Sequence, residues 1–242
     1  MNLIIDVGNT RIKVAVFEKD SLIGVFVCDK KNILIEVKNI LKKYSISVGI
    51  MSNVASISEK QILELQNLVP IELVSSTTKL PFKNLYKTPS TLGVDRIALI
   101  MAAVHKYKCK NVLVIDAGTC ITFDFINDEK EYLGGAISPG INMRFHSLNH
   151  FTAKLPLLEK EKVVDFIGSS TNECINSGIV NGVAQEIDGV INQYKNKYSQ
   201  LKVVLTGGDT KFLLKQLKSS IFADQNFLLS GLNEILKYNL KK

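Results

Sequence analysis

LIIDVGNTRIKVAVF (residues 3–17) and LVIDAGTCITFDFI (residues 113–126) share one pattern. Each is an apolar run ending in Asp, then x-Gly and a small polar turn, then a second run of alternating character. The first run predicts a buried strand and the second its hairpin partner. The segments downstream of the two hairpins also match. After the first come a strand over 22–28 and a helix over 32–44, where Ile33, Val37, Ile40, Leu41 and Tyr44 recur at helical spacing. A strand near 47–54 comes next, then a helix opened by the capping box SEKQ at 58–61, then the strand IELVS. After the second hairpin come a strand near YLGGAI and a long helix along which Ile175, Ile179, Val183, Ile187 and Ile191 step by four. The strand KVVLTGG (202–208) and helices over 209–218 and 228–239 finish the chain. The shared order, strand–strand–strand–helix–strand–helix, predicts an α/β protein built from two copies of one unit joined near KYKCKN. The expected domains are 1–109 and 110–242.

The bulk properties narrow the function classes. At 242 residues, 46% hydrophobic and 22% charged, the chain can bury a core and is not a disordered polymer. No apolar run reaches the ~20 residues of a membrane-spanning helix; IALIMAAV (97–104) suits a buried helix. MNLIIDVG lacks the pattern of a secretion signal, so a cytoplasmic location is expected, with no membrane partner. Cys28, Cys109, Cys120 and Cys174 are far apart and form no C-x-x-C, which argues against zinc clusters and a disulfide framework. His146 and His150 have helix-ligand spacing but no third ligand near them.

The net charge of +7 suits an anionic partner. Only three of the 30 basic residues are arginine (Arg11, Arg96, Arg144), and the lysines are scattered or sit in the tail KYNLKK. With no basic block interleaved with aromatics, no nucleic-acid partner is expected.

The paired D-x-G turns carry the chemistry. Glycine allows close backbone approach, exposed amides and hydroxyls suit phosphate oxygens, and a strand-end carboxylate can hold Mg²⁺ or its water. Asn9, Thr10 and Lys13 would meet phosphates and Asp6 the Mg²⁺, although Asp, Gly and Asn-Thr are also ordinary hairpin residues. TGGD (206–209) suits the nucleoside end of ATP, or is a plain strand-to-helix turn with Asp209 as cap. In TPSTLGVDRIALIMAA (88–103), Asp95 opens an apolar helix as a cap or as the base that accepts an alcohol's proton during phosphoryl transfer. Gly93 offers close approach beside it, and Arg96 an anion-binding fork.

In order along the chain, DVGNT, TPSTLGVDR, DAGTCITFD, GGAISPGINM, FTAKLP and STNECINSG resemble the type III pantothenate kinases. The resemblance implies duplicated actin-like (ribonuclease H-like) domains with a cleft between them. It implies ATP-dependent phosphorylation of pantothenate's primary alcohol to 4'-phosphopantothenate, the first step towards coenzyme A. By similarity, Asp6, Val7, Gly8, Asn9, Thr10, Arg11, Ile12 and Lys13 bind ATP with Mg²⁺, assisted by Thr119, and Asp95 accepts the proton. Tyr86, Gly93, Val94, Asp95 and Arg96 hold pantothenate, with a hydroxyl from Thr171. Asp116 holds a monovalent cation, K⁺ or NH4⁺. The resemblance also implies a homodimer with the substrate pocket near the subunit interface. Cys120 departs from the family's usual alanine, ECINSG drifts from its usual wording, and Arg144 has no role derivable from sequence. The rivals are another small-alcohol or sugar kinase of the superfamily, and a non-catalytic relative that assists transcription.

Overall fold

The computed structural model describes residues 1–54 and 57–241; Lys242, the last of the tail lysines, lies outside the described residues. The chain forms two compact units. The first comprises 1–109, 129–133 and 226–242, the second 110–128 and 134–225.

In the first unit, β1 (Asn2–Val7), β2 (Ile12–Glu18) and β3 (Ser21–Cys28) form an antiparallel meander, followed by α1 (Ile33–Lys43), β4 (Val48–Asn53), α2 (Glu59–Leu68) and β5 (Ile71–Leu73). β4 lies parallel to β1 and to β5, giving the order β3-β2-β1-β4-β5. The expected capping box is formed, with Ser58 accepting from the Gln61 amide. Alternation divides the sheet. Leu3, Ile5, Val7, Ile12, Val14 and Val16 pack with Ile33, Val37, Ile40 and Leu65 in one core. Ile4, Asp6, Lys13 and Ser52 occupy the opposite face.

β6 (Lys83–Asn84) and α3 (Val94–Lys106) complete the unit before the chain enters the second. There β7 (Val112–Ala117) and β8 (Cys120–Ile126) form the second hairpin. β9 (Glu131–Pro139), α4 (Ile141–Phe151), α5 (Thr171–Lys197), β10 (Lys202–Thr206), α6 (Thr210–Leu213) and β11 (Phe222–Ala223) come after it. Their strand order, β9-β8-β7-β10-β11, repeats that of the first sheet, with β10 parallel to β7 and β11. The first residues of β9, which belong to the first unit, pair with β6 through Lys83↔Glu131 and Asn84↔Tyr132. All five residues of the expected α5 stripe are buried against Leu113, Ile115, Phe123 and Phe125, each contributing about 1.5–3 kcal/mol of apolar burial.

Three elements differ from expectation. The helix expected over 209–218 is regular only over Thr210–Leu213. α4 is unanticipated, because its Pro-Gly lead-in looks like a loop and only Ile141 and Phe145 are buried. α7 (Phe227–Leu240) belongs to the first unit, although it comes after the second in sequence. Gly231 explains its position: a Cβ there would lie 1.8 Å from Ala98 O, so α7 rests on the α3 backbone. The buried Asn233 donates to Lys19 O (2.8 Å) and accepts from Asn2 Nδ2 (2.9 Å), tying α7 to the first hairpin.

Candidate active site

The first turn closes between Val7 and Ile12, which pair across the hairpin, with the Gly8 amide donating to Arg11 O (3.2 Å). Asn9, Thr10 and Arg11 are exposed, while Val7 and Ile12 are fully buried and can offer a ligand only backbone. Asp6 is the last residue but one of β1, with Lys13 opposite it on β2 and Ser52 opposite it on β4. This register puts all three side chains on one face. Ser52 Oγ donates to Asp6 Oδ1 (2.8 Å). Burial pushes the Asp6 carboxyl above the ordinary carboxylate range; the Ser52 hydroxyl and the Lys13 charge oppose that shift, and the Asp95 charge adds to it. Asp6 and Asp95 are therefore electrostatically coupled, although they lie far apart in the chain.

Asp95 is not the cap of α3. Gly93 holds that position, and Asp95 sits in the first turn, its Oδ1 accepting from the Arg96 amide (2.8 Å). A Cβ at Gly93 would lie 2.4 Å from that oxygen, so the glycine makes room for the carboxylate. Arg96 is 5% exposed, and its guanidinium lies 5.5 Å from the centroid of the Tyr86 ring. Tyr86 in turn stacks on the buried Tyr132 ring at 6.1 Å. As with Ser52, sequence reasoning missed Tyr132. Its only sequence signal is an aromatic ahead of Leu-Gly-Gly in an alternating run, and the β6–β9 pairing brings it under Tyr86.

In the second unit Asp116 occupies the place of Asp6, with Thr122 opposite on β8 and Thr206 opposite on β10. Gly207, in the left-handed region at φ +96°, backs this carboxylate: a Cβ there would lie 2.4 Å from Asp116 Oδ1. Asp209 takes the N-cap position of α6 without a capping hydrogen bond, and its carboxylate pairs with Lys160. Thr171 is the first helical residue of α5, capped by Ser170, whose Oγ accepts from the Glu173 amide. It lines a cavity of about 530 Å³ with Leu148, Leu155, Cys174 and Ile175. Among the described residues no group of three His, Cys, Asp or Glu side chains forms a metal cluster, and no helix is long and apolar enough to cross a membrane.

Residues 2–193 match the family model of the type III pantothenate kinases. The chain belongs to that family. The type III pantothenate kinase of Christiangramia forsetii is 48% identical over 240 residues, covering 99% of each chain. That of Flavobacterium johnsoniae is 43% identical over 241 residues, again covering 99% of each. Among solved structures, a Campylobacter jejuni protein assigned to the Baf family of transcriptional activators superposes with a TM-score of 0.67 at 22% identity, covering 99% of this chain and 100% of the other. A glucokinase from an Antarctic psychrotroph gives 0.53 at 10% identity, covering 98% of each chain. These structures bear on fold alone, and that fold is the actin-like one of the sugar kinases. In this member of the family DVG and DAG lie at the ends of β1 and β7, TGGD at the end of β10, and Asp95 in the first turn of α3.

Proposed function

We propose that the protein transfers the γ-phosphate of ATP to the primary alcohol of pantothenate, forming 4'-phosphopantothenate at the entry to coenzyme A synthesis. Family membership supports the reaction. The observation that carries the residue assignment is the place of Asp95 in the half-buried first turn of α3, where Gly93 leaves room for its carboxylate and Arg96 lies beside it over Tyr86.

Asp95 accepts the alcohol's proton as the oxygen attacks phosphorus. Its place in the first turn of a helix steadies the carboxylate beside backbone amides. Gly93 and Val94 offer backbone to pantothenate, and Arg96, oriented over Tyr86, grips its carboxylate. The exposed turn Asn9–Arg11 receives the phosphates through its polar groups, with Lys13 supplying charge beside Asp6. Thr119 contributes a hydroxyl to the nucleotide, and Thr171 one to pantothenate.

The residues fit the expected cations. A desolvated carboxylate flanked by a second one suits Mg²⁺ at Asp6, and one or two carboxylates suffice when phosphates complete the shell. The backbone cradle that Gly207 leaves around Asp116 Oδ1 suits K⁺ or NH4⁺. When bound, Mg²⁺ neutralises phosphate charge as the terminal bond breaks.

We read the repeated strand order as a duplication with its boundary at 109/110. A homodimer is supported by a run of exposed apolar side chains in one segment of the second unit: Phe151 at 81%, Val164 at 98%, Phe166 at 77% and Ile167 at 68%. Incubating the purified protein with ATP, Mg²⁺, K⁺ and a panel of alcohols tests the reaction. Turnover on pantothenate is expected; turnover on a sugar with none on pantothenate overturns the proposal.

A further inference from the structure

Two glycines of the second unit hold the turn after β7 from opposite directions. The Gly140 amide donates to Thr119 O (3.1 Å), and a Cβ at Gly140 would lie 2.3 Å from Gly118 O and 2.4 Å from Thr119 O. A Cβ at Gly207 would lie 2.3 Å from Ala117 O, and the Asp209 amide donates to that same oxygen (2.9 Å). Backbone therefore touches backbone on both sides of the segment that carries Asp116 and Thr119, with no side chain between to absorb an error.

Gly140 has no side chain with which to hold the end of β9, and Arg144 supplies that hold. Arg144 Nε donates to Pro139 O (2.9 Å), while Nη2 donates to Ser138 Oγ (3.0 Å) and to Glu186 Oε2 on α5 (2.5 Å). One planar guanidinium thus ties the end of β9 to the long helix, a geometry that a lysine ammonium cannot reproduce. The two side chains are 23% and 28% exposed, so the ion pair itself adds little stability. What it supplies is position.

We propose that Arg144, braced by Glu186, is a positioning residue for phosphoryl transfer: it fixes Ser138–Pro139–Gly140, and through Gly140 the placement of Thr119 and Asp116. The inference rests on the nucleotide and cation roles assigned to those two residues. It requires no contact between Arg144 and any ligand.

Arg144→Ala, Arg144→Lys and Glu186→Gln in the full-length protein test it. The readouts are KM for ATP, KM for pantothenate, the potassium activation constant, melting temperature, and calorimetric binding of a non-hydrolysable ATP analogue. For Arg144→Ala, the ATP and potassium constants should each rise about tenfold while KM for pantothenate stays within about twofold. Added methylguanidinium should recover much of the loss, and Arg144→Lys should fall between alanine and wild type. Unchanged ATP and potassium constants in a folded variant overturn the inference. So does an equal rise in KM for pantothenate, which would mark general loosening. If Arg144→Ala does not fold, Glu186→Gln decides with the same signs and a rise of about threefold; unchanged constants there overturn it. A wild type that binds the analogue in an Arg144-dependent way but leaves pantothenate untouched would sink the proposed reaction and sustain the clamp. Pantothenate turnover with Arg144-independent nucleotide binding would do the reverse.

Discussion

Ser52 donates its hydroxyl to Asp6 Oδ1 at 2.8 Å from the position directly opposite on the neighbouring parallel strand. The bond relieves only part of what burial imposes on that carboxylate, whose pKa stays above the ordinary range. A carboxylate kept dry and poorly compensated suits a cation site and costs the unliganded fold stability.

Asp6→Asn should therefore melt higher than wild type without ligands while losing phosphoryl transfer. A gain of about 1 kcal/mol corresponds to roughly 2–4 °C in a chain of this size. The raised pKa sets the sign with pH. The folded state holds the Asp6 proton more tightly than the unfolded state, so below the unfolded value of 3.8 there is no penalty. As pH rises from there through the higher folded pKa, stability is lost, and the penalty is complete above it. The advantage of Asp6→Asn should thus grow as pH rises through the folded pKa and shrink on acidification towards 3.8. Calorimetry across pH checks this; a variant that melts lower than wild type at neutral pH contradicts it.

Asp95→Asn should lower kcat by about 100-fold or more and leave KM for ATP within about threefold. Gly93→Ala should lower kcat by about tenfold through the carboxylate it displaces, since the added Cβ falls 2.4 Å from Asp95 Oδ1. Steady-state kinetics separate the two. A mild effect of Asp95→Asn would reduce that residue to a helix-end charge.

The Arg96–Tyr86–Tyr132 stack should govern the acceptor and not the nucleotide. Arg96→Lys should raise KM for pantothenate by about tenfold or more. Tyr132→Leu, which removes the ring, should raise KM for pantothenate. Equal rises in KM for ATP would contradict the assignment.

Replacing potassium with sodium should slow turnover if Asp116 holds the monovalent cation. Gly207→Ala should reproduce that loss, because its φ of +96° and its 2.4 Å approach to Asp116 Oδ1 leave no place for a methyl group. Equal rates in both salts would remove the cation role.

The exposed apolar run predicts the oligomer. A Val164→Glu, Phe166→Glu double variant should sediment as a monomer where wild type sediments as a dimer. A monomeric wild type at micromolar concentration would contradict the reading.

Much of this was legible in the sequence because the signals are local. An apolar run, a glycine turn and an alternating run marked each of the two hairpins, and the step of four from Ile175 to Ile191 marked α5. Asp6 and Asp116 were visible because each ends an apolar run before a glycine turn. What stayed hidden depends on pairing between distant segments. Ser52 matters through its register with Asp6, Tyr132 through the short β6–β9 pairing, and Arg144 through a carboxylate 42 residues on. The place of α7 was hidden for the same reason, since nothing around Gly231 announces that its surface will meet the backbone of α3.

The central claim is tested most directly by tracing radiolabel from the γ-phosphate of ATP. With Mg²⁺, K⁺ and pantothenate, label should appear on 4'-phosphopantothenate with the wild-type protein and almost none with Asp95→Asn. Label released only as inorganic phosphate, or transferred equally well by both proteins, would contradict the account.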